Sequence, residues 1–88
     1  MMFQASLREA GSTRFTIAVR DLSVTGFRCE TSFNLKVGKM VWLTIPGLGP
    51  LEAEVKWKDK FQFGCSFAAP LHTAVLDHIA RQIPKEQR

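Results

Sequence analysis

The polar stretch 21–26, with the sequence DLSVTG, contains the residues best suited to hold a small molecule. The carboxylate of Asp21 and the hydroxyl of Ser23 can form hydrogen bonds with the edge of a planar base, and Gly26 allows the base to approach the backbone. The same residue types also build ordinary turns, in which Asp and Ser bond local backbone N–H groups and Gly adopts a positive φ. The stretch alone leaves both interpretations open, a ligand-binding corner and a structural turn.

The remaining reactive side chains are scattered, and their spacing argues against catalysis and against a metal site. His72 and His78 are six positions apart and lack neighbouring ligands at zinc-site spacing. Asp21 with Ser23 is not a catalytic triad, and the scattered carboxylates offer no acid–base pair. We therefore expect a protein that is not an enzyme and that has neither a metal nor another cofactor.

Length, charge and hydropathy restrict the class of protein. Eighty-eight residues, 45% of them hydrophobic, predict a single domain, 1–88, with one modest core. The net charge of +4 comes from 12 basic and 8 acidic residues that are scattered along the chain, as in ordinary soluble domains. No apolar run approaches the ~20 residues of a membrane span, and the N-terminus has no signal-peptide core, so we expect a cytoplasmic protein. Cys29 and Cys65 have no C-x-x-C spacing, and we expect them to be reduced and buried.

Alternating apolar and polar residues predict the strands that must position the corner. The predicted strands are 3–8, 14–20, 27–31, 39–45, 51–57 and 61–67. We expect 3–8 to lie at a sheet edge and the Pro- and Gly-rich turn 46–50 to end the fourth strand. Reversals between consecutive strands favour mainly β structure in an antiparallel barrel or sandwich.

The same periodicity predicts which side chains face the core. Trp57 and Phe61 are expected to point inward, whereas Gly64, on the opposite face, is expected to leave room for a ligand or a neighbouring backbone. Three apolar side chains are expected to hold the connection 31–38 on the core: Phe33, Leu35 and Val37. Most aromatic side chains should therefore lie inside, which leaves few for stacking on bases.

A different periodicity marks the C-terminal segment, where 71–83 is predicted to be a helix that Pro84 ends. Its apolar stripe consists of Leu71, Val75, Leu76, Ile79 and Ile83. Thr73 is chemically a better N-cap than His72. We expect the helix to cover one end of the barrel or sandwich, and the alternative is a docking surface for a partner.

The string 21–27, DLSVTGF, resembles the D/N-x-S-x-x-G motif of the PilZ-domain family. The resemblance extends from about residue 3 to the C-terminal helix, because the motif falls between two predicted strands and precedes both 64–67, GCSF, and a short terminal helix. Members of this family are bacterial receptors for the second messenger cyclic di-GMP. The resemblance implies a small six-stranded antiparallel barrel with a C-terminal helix, and it implies that Asp21, Ser23 and Gly26 lie against a guanine.

The chain departs from the family pattern in its arginines. Members that bind the ligand carry an R-x-x-x-R pair before the corner, which clamps the phosphates and stacks on guanine. Here Arg8 and Arg14 are six positions apart, and no two arginines have the family spacing. The segment that would hold the pair is absent or was removed, and each lost charge-assisted contact is worth roughly 1.5–3 kcal/mol. Arg20, next to the corner, or another nearby arginine is our candidate for a replacement phosphate partner.

Three functional hypotheses follow. The first is a cyclic di-GMP receptor that uses Asp21, Ser23 and Gly26, with Arg20 at the phosphates. The second is a PilZ-like adaptor that binds no nucleotide and acts through a protein partner, and the missing arginine pair motivates it. The third is a small basic barrel that binds single-stranded nucleic acid, which the inward aromatic side chains disfavour.

Overall fold

The chain forms six β-strands followed by one α-helix in a computed structural model that describes residues 3–45 and 48–82. The strands are Phe3–Glu9 (β1), Phe15–Leu22 (β2), Gly26–Glu30 (β3), Met40–Thr44 (β4), Pro50–Asp59 (β5) and Gln62–Phe67 (β6). The helix is Thr73–Gln82 (α1). The predicted end of the helix at Ile83 and Pro84, and the first half of the turn 46–50, lie outside the described residues.

The strands close into a barrel in the order β1-β2-β3-β6-β5-β4, and every neighbouring pair is antiparallel. A six-stranded antiparallel barrel with a C-terminal helix is thereby confirmed. The prediction that the first strand lies at an edge is wrong, because β4 pairs with its second side from Ser6↔Thr44 to Glu9↔Val41. Closure leaves none of these six strands with an open edge.

Alternating strand direction gathers the connections at two ends of the barrel. The corner end contains the β2–β3 turn, the β4–β5 connection and the start of α1. The loop end contains 10–14, 31–39 and the β5–β6 turn at 60–61. The two ends differ in the chemistry of the side chains that they expose.

Inward side chains of the six strands fill the barrel. Leu7, Val19, Leu43 and Phe63 are fully buried, and other inward positions carry the smaller residues that fit between them. The predicted burial of both cysteines is confirmed, and their thiols are free. A hydrogen bond to the other cysteine, together with burial, raises the pKa of the Cys65 thiol, so this side chain stays neutral.

Two predicted core positions are wrong on β5 and β6. A β-bulge between Val55 and Trp57 reverses the side-chain alternation, and Trp57 is therefore on the outer face with 43% of its surface exposed. Phe61 precedes β6 and lies in the turn after Lys60, which has a φ of 60°, and it is 66% exposed. A single inserted bulge residue is enough to change which face of β5 carries the indole.

In the connection 31–39, the expected contacts with the core are only partly present. Leu35 is buried, as predicted, but Phe33 and Val37 are 53% and 58% exposed. Phe33 packs on Phe15 instead, with 3.9 Å between ring centroids. The connection is therefore held by one buried leucine and leaves two apolar side chains at the surface of the loop end.

The helix covers the corner end, as predicted, through its buried Ile79 and the partly buried Val75. Its entry is fixed to the corner, because the Leu71 N–H donates to the Val24 carbonyl at 2.7 Å. The expectation of Thr73 as the cap is wrong: Thr73 is the first helical residue, and Nδ1 of His72 accepts a hydrogen bond from the Ala74 N–H at 3.0 Å. No helix within the described residues has the length and apolarity needed to cross a membrane.

Candidate ligand-binding site

The corner is built by hydrogen bonds within residues 23–26. The Ser23 N–H donates to the Gly26 carbonyl at 2.9 Å, and Ser23 Oγ accepts a hydrogen bond from the Thr25 N–H at 3.3 Å. The same hydroxyl lies 3.3 Å from the Gly26 carbonyl and 3.2 Å from Thr25 Oγ1. Ser23 therefore stabilises the turn, as the structural interpretation predicts, yet its side chain stays exposed and available.

Gly26 serves close packing and not a positive φ. The glycines with positive φ in the described residues are Gly11 and Gly38, both at the loop end. A Cβ at Gly26 would overlap the carbonyl oxygen of Cys65 on β6 and would stand 3.1 Å from the Ser66 Cα. Only glycine lets β3 approach β6 this closely, so the third motif residue fixes the corner against the barrel wall.

The two polar residues that precede the corner face different partners because a bulge separates them. The register of β2 with β3 shifts between Val19 and Asp21, which makes Arg20 the extra residue. Arg20 turns to Glu30, with 2.9 Å between Nη1 and Oε1. Asp21 pairs with Arg28, directly opposite it on β3, and its side chain is 62% exposed.

An open cavity of about 330 Å³ lies on the outer wall of the barrel beside the corner. All three motif residues line it, together with three residues of the neighbouring strands: Asp21, Ser23, Gly26, Arg28, Lys56 and Trp57. The cavity lining includes Arg28 in place of Arg20, the arginine selected from the sequence. The structure thus brings the predicted guanine-contact residues together, and the role of each of them stays a prediction.

A row of cross-strand neighbours forms the floor of this cavity. Asp21 on β2 faces Arg28 on β3, Arg28 faces Gly64 on β6, and Gly64 faces Trp57 on β5. A Cβ at Gly64 would overlap the Trp57 indole. The room expected above Gly64 is therefore taken by an aromatic ring of this chain, which presents an indole beside a guanidinium.

The guanidinium of Arg28 has hydrogen-bonding capacity left for a ligand. One nitrogen pairs with Asp21, and Nη1 lies 3.5 Å from Gln62 Oε1. Nε is buried and has no hydrogen-bond partner among the described residues. Since a guanidinium offers five N–H donors, Arg28 is the member of the lining best equipped for a phosphate or a carbonyl oxygen.

Glu30 links the two arginines of this wall. It accepts hydrogen bonds from Gln62 Nε2 at 3.3 Å and from Arg20 Nη1 at 2.9 Å. These contacts, with Gln62 first and Arg20 second, hold the pKa of the Glu30 carboxyl below its usual value. Because Gln62 also contacts Arg28, the network Arg20–Glu30–Gln62–Arg28–Asp21 fixes the orientation of the cavity floor.

The family model for the PilZ domain matches residues 1–84 of this chain. The chain belongs to the PilZ family. Neither the curated proteins nor the solved structures gave a match. The family motif D/N-x-S-x-x-G corresponds to Asp21, Ser23 and Gly26, so the motif of this PilZ domain lies at the mouth of the cavity described above.

Sequence reasoning overlooked Arg28, Lys56 and Trp57 as members of the cavity lining. Arg28 lies opposite Asp21 because of the bulge at Arg20. Lys56 is the extra residue of the second bulge and Trp57 follows it, and no residue type in the sequence predicts this bulge. No cluster of three His, Cys, Asp or Glu side chains that could hold a metal ion occurs within 3–45 and 48–82.

Proposed function

We propose that this PilZ domain is a receptor for cyclic di-GMP in the bacterial cytoplasm and that it has no catalytic activity. The observation that carries the proposal is the shared cavity, which is lined by all three motif residues and by an arginine and a tryptophan. Membership of the family supports the ligand class, and the exposed polar corner supports the position. The site therefore combines groups for a base with groups for a phosphate.

Asp21 and Ser23 suit a guanine in particular. The Watson–Crick edge of guanine presents N–H donors, and an exposed carboxylate accepts such donors with charge-assisted strength. Ser23 adds a hydroxyl that can donate or accept. Gly26 lines the same cavity, and the close approach of β3 to β6 that it allows holds the corner in place for the ring.

Arg28 and Trp57 would complete the site for the rest of the ligand. The Arg28 side chain is 41% exposed, and its terminal nitrogens can donate to a phosphate oxygen once Asp21 shares the guanidinium with the ligand. Trp57 is 43% exposed, and its indole face can stack on a base. We assign to Arg28 the phosphate role for which the sequence suggested Arg20, because Arg28 lines the cavity and Arg20 turns to Glu30.

Isothermal titration of the chain with cyclic di-GMP, with intrinsic tryptophan fluorescence as a second signal, tests the proposal. We expect saturable binding with one class of site. Asp21→Ala and Ser23→Ala should each weaken it, the former by about tenfold or more, since a hydrogen bond to a charged group contributes roughly 1.5–3 kcal/mol. Asp59→Ala removes an exposed carboxylate at the loop end and is the matched control, which should bind like the parent.

Arg28 and Arg20 give a second matched pair on the same wall of the barrel. Arg28→Gln should reduce affinity for cyclic di-GMP at least as much as Asp21→Ala, whereas Arg20→Gln should change it little. A chain that releases no heat and shows no change in tryptophan fluorescence at high ligand concentration would refute the receptor proposal. Equal losses in the two arginine variants would refute only the assignment of Arg28.

A second candidate function is an adaptor that binds a protein partner and no nucleotide. The observation in its favour is that Arg28 already occupies the Asp21 carboxylate, in a chain without the R-x-x-x-R spacing of ligand-binding relatives. The adaptor predicts no binding of cyclic di-GMP. It also predicts a specific protein partner whose capture is unchanged by Asp21→Ala and Ser23→Ala.

A further inference from the structure

The loop end exposes three large apolar side chains that lie outside the buried core. Phe61 is 66% exposed, Val37 58% and Phe33 53%. Two hydrogen bonds hold the segments that carry them together. The Thr31 N–H donates to the Phe61 carbonyl at 3.0 Å, and Lys58 Nζ donates to Asn34 Oδ1 at 2.5 Å. These side chains therefore form one surface, which we name the loop-end patch.

Positive charge surrounds the loop-end patch. The exposed basic residues of this end are Arg14, Lys36, Lys39, Lys58 and Lys60. Its acidic residues are Glu9, Asp59 and Glu30, and Glu30 is paired with Arg20. The ion pairs found in the described residues lie on the barrel wall, and none of them involves a lysine of this end. The local excess of cations is thus available to an external anionic surface.

We propose that the loop-end patch docks the domain onto an anionic lipid surface. Phe61 is in a hairpin turn and Phe33 and Val37 are in the facing loop, so exposed apolar side chains stand beside lysines at this end, a combination that suits a lipid interface. Its cations are mostly lysines, which act as point charges toward a field of headgroups.

The composition of the patch distinguishes a lipid surface from a protein partner. Protein interfaces are enriched in Arg and in aromatic residues, Phe included, and depleted in Lys, so the lysines and not the phenylalanines separate the two kinds of surface. This chain has no Tyr, and its surface-exposed Trp57 belongs to the cavity. Lys and Phe side by side instead match peripheral membrane contact, in which each lysine near an anionic surface strengthens binding about fivefold.

Docking through the loop end would leave the cavity accessible. The corner and the start of α1 are at the opposite end of the barrel, since β3 runs from Gly26 at the corner to Glu30 beside the loop 31–39. Ligand binding and lipid binding then use separate surfaces. The inference does not depend on the identity of the ligand at the corner.

Flotation of the full chain with vesicles tests this inference. We expect the chain to float with phosphatidylglycerol-rich vesicles at low salt, to float poorly with pure phosphatidylcholine vesicles, and to be released by added salt. Phe61→Ser should reduce the bound fraction severalfold, and Lys36→Gln with Lys60→Gln should reduce affinity about tenfold or more. Both sets of side chains are exposed, so the barrel should fold normally, which circular dichroism checks.

The matched control removes the same charge elsewhere. Lys56→Gln with Arg81→Gln changes exposed residues of the barrel wall and of α1 by the same net charge, and this variant should float like the parent.

The inference is overturned if the parent does not float, or if the two double variants lose affinity equally. It is also overturned if a poly-glutamate peptide binds as tightly as the vesicles and Phe61→Ser has no effect, since an acidic protein segment would then be the occupant. Self-association that Phe61→Ser abolishes, without flotation, would identify a second copy of the chain.

Discussion

The two ends of the barrel differ in how tightly they are held and in which side chains they expose. At the corner end, a short turn is tied to the wall by backbone hydrogen bonds and by the close approach of Gly26 to Cys65, and polar side chains surround a concave space. At the loop end, a longer connection is held by the single buried Leu35 and presents apolar and basic side chains outward. Tight fixation suits recognition of one rigid ligand, whereas an exposed, positively charged surface suits an extended anionic partner.

The largest expected effect comes from adding a methyl group to Gly26 at the corner end. Gly26→Ala places a Cβ on the backbone carbonyl of Cys65, which cannot rotate away, so β3 and β6 must separate. We expect a loss of about 3 kcal/mol or more in the free energy of unfolding, at the upper range for overpacking. Urea unfolding followed by circular dichroism measures it.

Gly38→Ala is the matched substitution at the loop end. Gly38 has a φ of 92° with nothing within 4 Å of an added Cβ, so the cost is backbone strain alone, about 1 kcal/mol. If both alanines cost the same, the corner is no more tightly packed than the loop, and the contrast between the ends is lost. An unchanged stability in Gly26→Ala would have the same meaning.

A smaller effect is expected at the junction of the corner with the helix. His72→Ala removes the Nδ1 acceptor of the Ala74 N–H and should lower the free energy of unfolding by about 1 kcal/mol, the usual cost of a lost N-cap. Asn caps helices well, so His72→Asn should restore most of this loss. Thermal unfolding of the two variants separates capping from other effects of the imidazole. If His72→Asn is as destabilised as His72→Ala, the imidazole ring itself, and not its hydrogen-bond acceptor, stabilises this junction.

Sequence periodicity predicted the architecture better than the site. The strands and the helix were predictable because alternation and the 3.6-residue stripe reflect burial directly, as at Val19, Val55 and Ile79. The inward direction of Trp57 was not, because one bulge residue reverses every later position on that face. Bulges depend on the register between strands, which residue types do not encode locally.

The candidate site shows the same division. A motif within six consecutive residues placed Asp21, Ser23 and Gly26 beside one cavity, because a short turn keeps its members together whatever the rest of the fold does. Arg28 was overlooked because its place beside Asp21 depends on the bulge at Arg20. Phe33 and Val37 were expected inside because hydrophobicity alone does not tell a core residue from one that serves an external surface.

The smallest predicted effect concerns Glu30, the last residue of β3. Contacts with Gln62 and Arg20 lower its pKa in the folded chain, so the charged carboxylate stabilises the fold above its unfolded pKa. This contribution is lost as the pH falls through the lowered pKa of Glu30 in the folded chain. The loss therefore begins near the ordinary glutamate pKa of 4.5 and continues below it. Glu30→Gln should therefore flatten part of the acid-side decline in stability, measured by urea unfolding across that window, with only a slight change because the group is exposed.

The same titration shows whether the network on the barrel wall couples the ends. Gln62 contacts both Glu30 and Arg28, so neutralising Glu30 frees the amide that faces the cavity arginine. Binding of cyclic di-GMP at pH 7 should then change slightly in Glu30→Gln, while vesicle flotation should not, because the loop-end patch shares no hydrogen bond with Gln62 among the described residues. If flotation shifts as much as ligand affinity, the two ends act as one unit, and separate surfaces would be the wrong description.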